Sequence, residues 1–374
     1  MSNSTTLDYL FDTAQIQLRR GPLFDKPPDP MPGDLDFDRV AGMMLGLAIG
    51  DALGNTTEGM LPQKRRQVYG EVRDYLPNPY ARNAAVGLPS DDTQLAFWTL
   101  EQMIVDRGFN PERVAARFAQ GRVFGIGSTV QRFLYNYQAG RPWYRCGPRS
   151  AGNGALMRIA PMLIPHLPSG TTALWVDTAL SAMMTHNDSG SIAACLAFIA
   201  MLWHLLSMSR PPEPYWWIET YVSVARELEL DEHYRPRGGI FQEEYEGPIW
   251  RFVEEKVPAA YRRGLSVVEA CQEWLSGAFL LETVPSVLFI LMRHGEDPEE
   301  AMVRAVNDTV DNDTIGAIVG AAMGALHGKA GIPERWRTHL VGRTSEGDDG
   351  KVFALLEEAR AIWGNRTNGH AEEG

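Results

Sequence analysis

The sequence predicts an all-α protein, and three observations favour this fold class. Apolar residues recur at helical spacing along most of the chain. Runs of alternating β-branched residues are nearly absent, and the connections are rich in Gly, Pro, Asn and Asp, as loops between helices are. The stretches with helical spacing are 38–53, 92–106, 111–120, 128–138, 154–164, 172–185, 190–208, 216–229, 247–255, 266–276, 284–294, 298–307, 314–328 and 351–363.

Length and charge limit the classes of protein that remain. The 374 residues suffice for one large domain or two smaller ones, and 44% hydrophobic with 22% charged residues is ordinary globular usage. The chain has 35 basic and 47 acidic residues, a net charge of −12. This balance argues against nucleic acid or an anionic membrane as a partner. An acidic site that holds cations fits it better.

The cysteines and the apolar segments predict a cytoplasmic protein. Cys146, Cys195 and Cys271 are far apart and lack a CxxC pattern, so neither a disulfide framework nor a structural zinc site is expected. No signal peptide is evident at the start of the chain. The run 192–206 is shorter than the roughly 18 to 20 residues that a membrane span needs, and we expect it to be a buried core helix.

The first 38 residues differ from the rest and are predicted to form an N-terminal arm. An amphipathic helix is expected first, followed by a proline-rich extended stretch. Such an arm is either a disordered tail or a segment whose apolar face docks on the body of the protein or on a partner. The residues on that face are Leu7, Leu10, Phe11, Ala14 and Leu18.

The remaining chain divides into a main domain, 39–365, and a flexible tail, 366–374. Within the domain, residues 210–263 form an insertion with many aromatic residues. This insertion either packs on the core or offers a surface for protein recognition.

Two rows of glycine predict a close helix crossing. Glycine within a helix costs roughly 1 kcal/mol relative to alanine, so four in one row imply a geometric reason. A ridge without side chains lets another helix approach closely. Because both rows lie beside acidic motifs, we expect the crossing to bring those motifs together. The rows are Gly42, Gly46, Gly50 and Gly54, and Gly316, Gly320, Gly324 and Gly328.

Three acidic motifs then become candidates for one metal site. They are Gly50-Asp51-Ala52-Leu53-Gly54 with Glu58, Ser90-Asp91-Asp92-Thr93, and Asp311-Asn312-Asp313-Thr314. Taken singly, the second and third also make good helix caps. Taken together, they would gather five carboxylates that cannot all stay ionised without cations. Carboxylate and hydroxyl oxygens suit two Mg²⁺ ions, or Mn²⁺, rather than zinc or copper. The five are Glu58, Asp91, Asp92, Asp311 and Asp313.

Three further segments suit a phosphate-bearing ligand. The stretch 125–129, Gly-Ile-Gly-Ser-Thr, precedes a helix whose first N–H groups are free for an anion. The stretch 150–158, Ser-Ala-Gly-Asn-Gly-Ala-Leu-Met-Arg, is a small-residue loop that allows close backbone approach. His186 lies between two apolar helices, either as a cap or core histidine or as part of the pocket.

In this order, the motifs resemble the ADP-ribosylglycohydrolase family, which includes hydrolases that release ADP-ribose from arginine and the dinitrogenase reductase-activating glycohydrolase. The matching stretches are MMLGLAIGDALGNTTEGM, SDDTQLAF, FGIGST, SAGNGALMRIAPM, MTHNDSGSIAA and DNDTIGAIVGAAMGALHG, within residues 39–330. The resemblance implies a compact fold of orthogonal helices with a dinuclear magnesium or manganese site. This chain departs from the family pattern at Thr309-Val310 and Asn312.

The resemblance also assigns roles to individual residues. Glu58 matches the family's acidic gate near the metals. The implied metal ligands are Ser90, Asp91, Asp92, Asp311, Asp313 and Thr314. The implied substrate-binding residues are Gly125, Gly127 and Ser128 for the diphosphate, Gly152, Asn153 and Gly154 around the ribose and diphosphate, and His186.

The expected reaction is hydrolysis of the bond between ADP-ribose and a protein side chain, most favourably arginine. Water attacks the anomeric carbon through an oxocarbenium-like state, with Asp92 or Asp313 taking the proton and Glu58 or a metal-bound water helping to protonate the leaving group. Serine or O-acetyl linkages are alternatives. A different class is an immunity protein whose residues 1–38 bind and block an ADP-ribosyltransferase toxin, alone or beside hydrolysis. A catalytically dead relative and a metal phosphatase are less favoured.

Overall fold

The computed structural model describes residues 2–33 and 35–364, and the regular structure in those ranges is helical, as predicted. Short 3₁₀ segments and a closing π-turn, Arg360–Gly364, accompany the α-helices, and extended residues form only isolated bridges. The helices are α1 (Asn3–Asp12), α2 (Phe37–Asn55), α3 (Pro62–Tyr69), α4 (Asp91–Asp106), α5 (Pro111–Phe118), α6 (Ser128–Gln138), α7 (Ala173–Thr185), α8 (Ser189–Ser207), α9 (Pro214–Leu228), α10 (Ile249–Arg262), α11 (Val267–Trp274), α12 (Leu280–His294), α13 (Pro298–Asp308), α14 (Asn312–Gly331), α15 (Glu334–Thr338) and α16 (Lys351–Ala359).

Three details differ from the predicted helices. The predicted helix 154–164 is instead two 3₁₀ segments, Leu156–Arg158 and Ala160–His166, since the prolines of this stretch lack an N–H group. Helix α1 ends before Ala14, which has a positive φ of 51°. The short helices α3 and α15 were not predicted, because their polar sequences have no extended apolar stripe.

The predicted crossing of the two glycine-rich helices forms the centre of the fold. Helices α2 and α14 pack side by side in opposite directions, with Gly46 against Gly320 and Gly50 against Gly316. A Cβ atom added at Gly46 would lie 2.0 Å from the carbonyl oxygen of Gly320. The backbones themselves are therefore in contact, and the crossing joins the end of α2 to the start of α14. The last member of the second row, Gly328, is instead at a kink with φ 71°.

Helix α8 is the one described helix that is long and apolar enough to cross a membrane, and nearly all of it is buried within the fold. Its side chains pack in the same core as those of α2 and α14. This is the core position that the sequence predicts.

The N-terminal arm packs on the body of the protein. Leu7 and Leu10 of α1 are buried, and the following strand-like stretch buries Leu18. The indole N–H groups of Trp175 and Trp203 donate 2.8 Å hydrogen bonds to carbonyl groups of the proline-rich stretch. Of the alternatives for this segment, the structure shows the docked arm.

The aromatic insertion also packs on the core. Trp217 of α9 and Phe252 of α10 are fully buried. The connection between these helices, residues 229–248, reaches the pocket described below. The predicted tail, 366–374, lies outside the described residues.

Candidate metal centre and substrate pocket

A pocket of about 330 Å³ opens where the loop after α2 meets the starts of α4, α6 and α14. Of the predicted site residues only Ser90 does not line it, and the Ser90 hydroxyl donates to Asp92 Oδ2 at 3.0 Å. The loop 150–154, residues 278–279 and Arg237 contribute to the wall. The predicted residues in the lining are Glu58, Asp91, Asp92, Gly125, Gly127, Ser128, Gly152, Asn153, Gly154, His186, Asp311, Asp313 and Thr314.

Two overlapping groups of carboxylates lie at the floor of this pocket. In each group one oxygen per residue lies within 4.8 Å of the others: Asp51, Asp92 and Asp313 form the first, and Glu58, Asp311 and Asp313 the second. Asp313 belongs to both. The motif residues, which are about 220 to 260 positions apart in sequence, thus converge as the glycine rows predict.

Asp51 is a member that the sequence analysis left out of the acidic cluster. It is the only charged residue of α2 after the first turn, which contains Asp38 and Arg39, and it is fully buried. Its carboxylate accepts hydrogen bonds from the backbone N–H groups of Ser90 and Thr93 and from the Thr93 hydroxyl. Asp51 therefore fixes the start of α4, where Asp91 and Asp92 stand. A single carboxylate within an apolar helical stretch was the sequence signal that could have identified Asp51 as a member of the cluster.

Capping explains the start of α4 but not that of α14. Ser90 is the N-cap residue of α4, and its side chain accepts from the Asp92 N–H. Asp311 occupies the N-cap position of α14 without a capping hydrogen bond from its side chain. The Asn153 amide instead donates to Asp311 Oδ2 at 2.6 Å. The Asp311 side chain is thus oriented into the pocket and does not cap the start of α14.

Burial and mutual repulsion shift the pKa values of the cluster upward. Desolvation raises the pKa of Asp51 and of Asp311 from 3.8 to about 6, although hydrogen bonds oppose the shift. Desolvation, followed by the charges of neighbouring carboxylates, raises the pKa of Asp92 and Asp313 well above 3.8. Desolvation also raises the pKa of Glu58. These carboxylates are held close together despite their mutual repulsion, and divalent cations would relieve it. Carboxylate oxygens are also the hard donors that such cations prefer.

One atom supports this interpretation directly. Asp92 Oδ1 is buried and, within the described ranges, has no hydrogen-bond partner. A buried carboxylate oxygen without a partner is costly unless a cation or proton meets it. The residues present therefore fit a metal centre.

The opposite wall suits an uncharged or anionic part of a ligand. Gly127 is the N-cap residue of α6 without a side-chain cap, so the first N–H groups of α6 face the pocket free. His186 is buried behind Gly152 and Gly154, and a Cβ atom at Gly154 would lie 2.9 Å from its ring. Burial, and then the nearby Arg158 charge, lower the pKa of His186 to about 3, so its imidazole is neutral.

Arg65, in α3, ties together the two loops that carry Glu58 and Asp311. Its guanidinium is fully buried and donates to the hydroxyl and carbonyl of Thr57, to the carbonyl of Met60 and to the carbonyls of Asn307 and Thr309. The bonds are 2.8–3.3 Å long. No sequence motif indicates this residue, because it is one arginine in a polar helix.

The change Arg65→Met should lower the free energy of unfolding by about 3 to 5 kcal/mol, because several buried carbonyl groups lose their donor. Chemical denaturation measures the loss. The matched control is Arg66→Met, which changes an exposed neighbour in the same helix. Equal stability of the two variants would contradict the role of Arg65.

Comparisons with known proteins agree with this geometry. The sequence profile of the family described as ADP-ribosylglycohydrolase matches residues 32–365. The ADP-ribosyl-[dinitrogen reductase] glycohydrolase of Rhodospirillum rubrum is 28% identical over 87% of this chain and 98% of its own length. The ADP-ribosylarginine hydrolase of Pseudomonas putida is 27% identical over 80% of this chain and 73% of its own.

A solved structure titled "ADP-ribosylglycohydrolase-related protein complex" superposes with a TM-score of 0.64 at 26% identity, covering 88% of this chain and 99% of that one. The profile spans nearly the whole described chain, including all three acidic motifs. The protein therefore belongs to the ADP-ribosylglycohydrolase family.

Proposed function

We propose that this protein is a hydrolase that removes ADP-ribose from modified arginine side chains, with two Mg²⁺ ions, or Mn²⁺, as cofactors. The observation that carries the proposal is the meeting of two features in one pocket. The acidic cluster lies at the floor, and the free N–H groups of α6 lie on the wall. A sugar diphosphate has hydroxyl groups suited to the first and phosphates suited to the second.

The residues that would hold the metals are those of the acidic motifs. The family is metal-dependent, and Asp92, Asp311 and Asp313 offer oxygens at the floor of the pocket. When bound, divalent cations orient the sugar hydroxyls and lower the pKa of water. Ser90, Asp91 and Thr314 stay predicted ligands, and Asp51 completes the first carboxylate group.

The chain's own groups account for the proton transfers. Asp92 or Asp313 accepts the proton of the attacking water, since each is a buried carboxylate with a raised pKa. Glu58 is the exposed member of the second carboxylate group, and its raised pKa suits a group that helps to protonate the leaving nitrogen. Neutral His186 lines the wall without competing for these protons.

The arginine linkage is supported by the relative from Pseudomonas putida, which is named as an ADP-ribosylarginine hydrolase. Serine and O-acetyl linkages are the alternatives.

Burial of the three cysteines as free thiols fits the cytoplasm, where we place the protein.

The test is incubation of the purified protein with protein substrates ADP-ribosylated on arginine or on serine. Each incubation is made with EDTA, with Mg²⁺ and with Mn²⁺, and free ADP-ribose is quantified. We expect release from the arginine substrate that depends on the cation. Release from the serine substrate alone would overturn the linkage, and no release from either would overturn the proposed function.

Metal affinity should fall as the pH is lowered from about 7.5 to about 5.5, because protons and cations compete for the same carboxylate oxygens. The raised pKa values of Asp51 and Asp311, about 6, place the competition in this range. Titration calorimetry with Mn²⁺ measures the affinity, and repetition in buffers of different ionisation enthalpy measures the protons released. Affinity that does not change with pH would contradict the prediction.

An immunity role for the arm stays a second, separate proposal. In the structure the apolar face of residues 2–33 is buried against the body, so binding a toxin through that face requires the arm to detach. Incubation with an ADP-ribosyltransferase toxin, before and after deletion of the arm, tests whether toxin capture depends on it. Capture by both forms, or by neither, would overturn the role of the arm.

A further inference from the structure

The pocket contains one cationic side chain that belongs to none of the motifs. Arg237 lies in the connection between α9 and α10, within the aromatic insertion. It is the only lysine or arginine among the described residues that line the pocket. The other charged lining residues are the carboxylates Glu58, Asp91, Asp92, Asp311 and Asp313.

Arg237 is held in place by an acid from another element. Its Nε donates to Glu282 Oε1 and its Nη2 to Glu282 Oε2, both at 2.8 Å. Glu282, in α12, is fully buried, and Arg237 is its ion-pair partner. The guanidinium also lies over the ring of Phe279, 5.2 Å from its centroid. Such a two-point pair fixes the plane of the guanidinium as well as its position.

The neighbouring backbone is adapted to this pair. A Cβ atom at Gly277 would lie 2.5 Å from Glu282 Oε2 and 3.3 Å from Arg237 Nη2. A larger residue at this position would have to displace the Glu282 carboxylate, so the glycine leaves room for the two side chains to meet as they do. Phe279, whose ring supports the guanidinium, is itself fixed by a backbone bridge to Gly152 of the small-residue loop.

The remaining donors of Arg237 are free for a ligand. The side chain is 56% exposed although its partner is buried, and Nη1 makes no hydrogen bond in the described part of the chain. The pair with Glu282 uses one edge of the guanidinium. Its other edge is available at the pocket wall.

We propose that Arg237 binds a phosphate oxygen of the ADP-ribosyl group, a proposal that rests on the proposed function. The diphosphate is the only ionised part of ADP-ribose at neutral pH. It must enter a pocket whose other charged groups are acids, and the α6 N–H groups offer no full charge. An oriented guanidinium supplies a charge-assisted hydrogen bond to an oxyanion in the geometry that arginine favours.

If the role of Arg237 were purely structural, it would only stabilise the packing of the insertion on α12. The two roles separate in binding experiments. If the role is structural, replacing Arg237 lowers the stability of the protein and leaves the affinity of the folded protein for ADP-ribose unaltered. Loss of a phosphate contact weakens that affinity and raises the KM without weakening the affinity for the metal.

The experiment measures binding of ADP-ribose to the full chain in the presence of Mn²⁺, by titration calorimetry. For Arg237→Gln we expect the Kd to rise about tenfold to a hundredfold, as for loss of a hydrogen bond to a charged group. The KM should rise with kcat little changed, because the contact is made in the ground state and the transition state alike. Mn²⁺ affinity should not fall, since Arg237 is not among the predicted ligands and loss of its positive charge near Asp311 favours a cation there.

Three further variants make the outcome decisive. Arg235→Gln removes an exposed arginine of the same connection, paired with Glu246, and should bind ADP-ribose normally. Arg237→Lys keeps the charge without the two-point geometry and should give an intermediate Kd; it also serves if Arg237→Gln does not fold. Glu282→Gln should weaken binding less than Arg237→Gln, because the guanidinium remains but is less firmly held.

Wild-type affinity for ADP-ribose in both Arg237 variants would overturn the proposal. So would a defect confined to ADP-ribosylated peptides with acidic flanking residues, which would assign Arg237 to the protein target instead. Failure of the unaltered protein to bind ADP-ribose with Mn²⁺ would overturn the proposed function itself.

Discussion

Gly46→Ala should leave little or no folded protein. The added Cβ would lie 2.0 Å from the carbonyl oxygen of Gly320, whereas ordinary van der Waals contact begins at 3.4 Å. The obstructing atoms belong to backbone, so no side chain can rotate away. Helices α2 and α14 would have to separate along their contact, at a cost comparable with the whole stability of a domain, about 5 to 15 kcal/mol. Soluble yield and thermal unfolding followed by circular dichroism measure the effect.

The control for this prediction is Gly108→Ala. A Cβ atom at Gly108 meets nothing within 4 Å, and its φ is not positive. The variant should fold and melt like the original protein. A Gly46→Ala protein with an unchanged melting temperature would show that the helices are not in backbone contact.

Asp313→Asn should reduce the release of ADP-ribose by about a thousandfold or more, because its oxygens belong to both carboxylate groups and loss of metal chemistry costs several kcal/mol. The same variant should melt at a higher temperature than the original protein when both are metal-free. The amide keeps the shape of the side chain and removes one charge from a crowded cluster. Activity assays with Mg²⁺ or Mn²⁺ and melting curves in EDTA measure the two effects.

Asp177→Asn is the matched control, since Asp177 is also a buried helix residue but contacts His166 and the arm rather than the pocket. It should keep its activity per folded molecule. Full activity in Asp313→Asn would overturn the metal centre. A melting temperature in EDTA below that of the original protein would overturn the repulsion argument.

The sequence predicted the fold class and the gathering of the acidic motifs because both depend on residues that recur at regular intervals. The glycine rows recur every four residues, and the helices follow from apolar spacing. The stretch 154–164 had such spacing and was wrongly predicted to be an α-helix, because its prolines favour 3₁₀ turns. Pattern thus identified which elements meet.

Residues whose roles depend on contacts with distant segments could not be predicted in this way. Asp51 was noted within its motif but not counted in the cluster, because its role depends on the N–H groups that α4 presents to it. Arg65 and Arg237 lie in polar segments, where an arginine is ordinarily solvated. Only the fold shows that one is fully buried and that the other meets Glu282.

The four-residue repeat of the glycine rows leaves the register of the two central helices open. Sliding α14 along α2 by four residues, about 6 Å, would again set glycine against glycine, so close packing alone does not choose between the alignments. Asn312 does: its amide donates to the carbonyl of Gly54, the hydroxyl of Thr57 and the carbonyl of Val306. At the other end of the crossing, the Asp38 carboxylate accepts a hydrogen bond from the Lys329 N–H at 3.1 Å. Polar contacts at both ends therefore hold the two helices in one alignment, the alignment in which the carboxylates of the two helices meet.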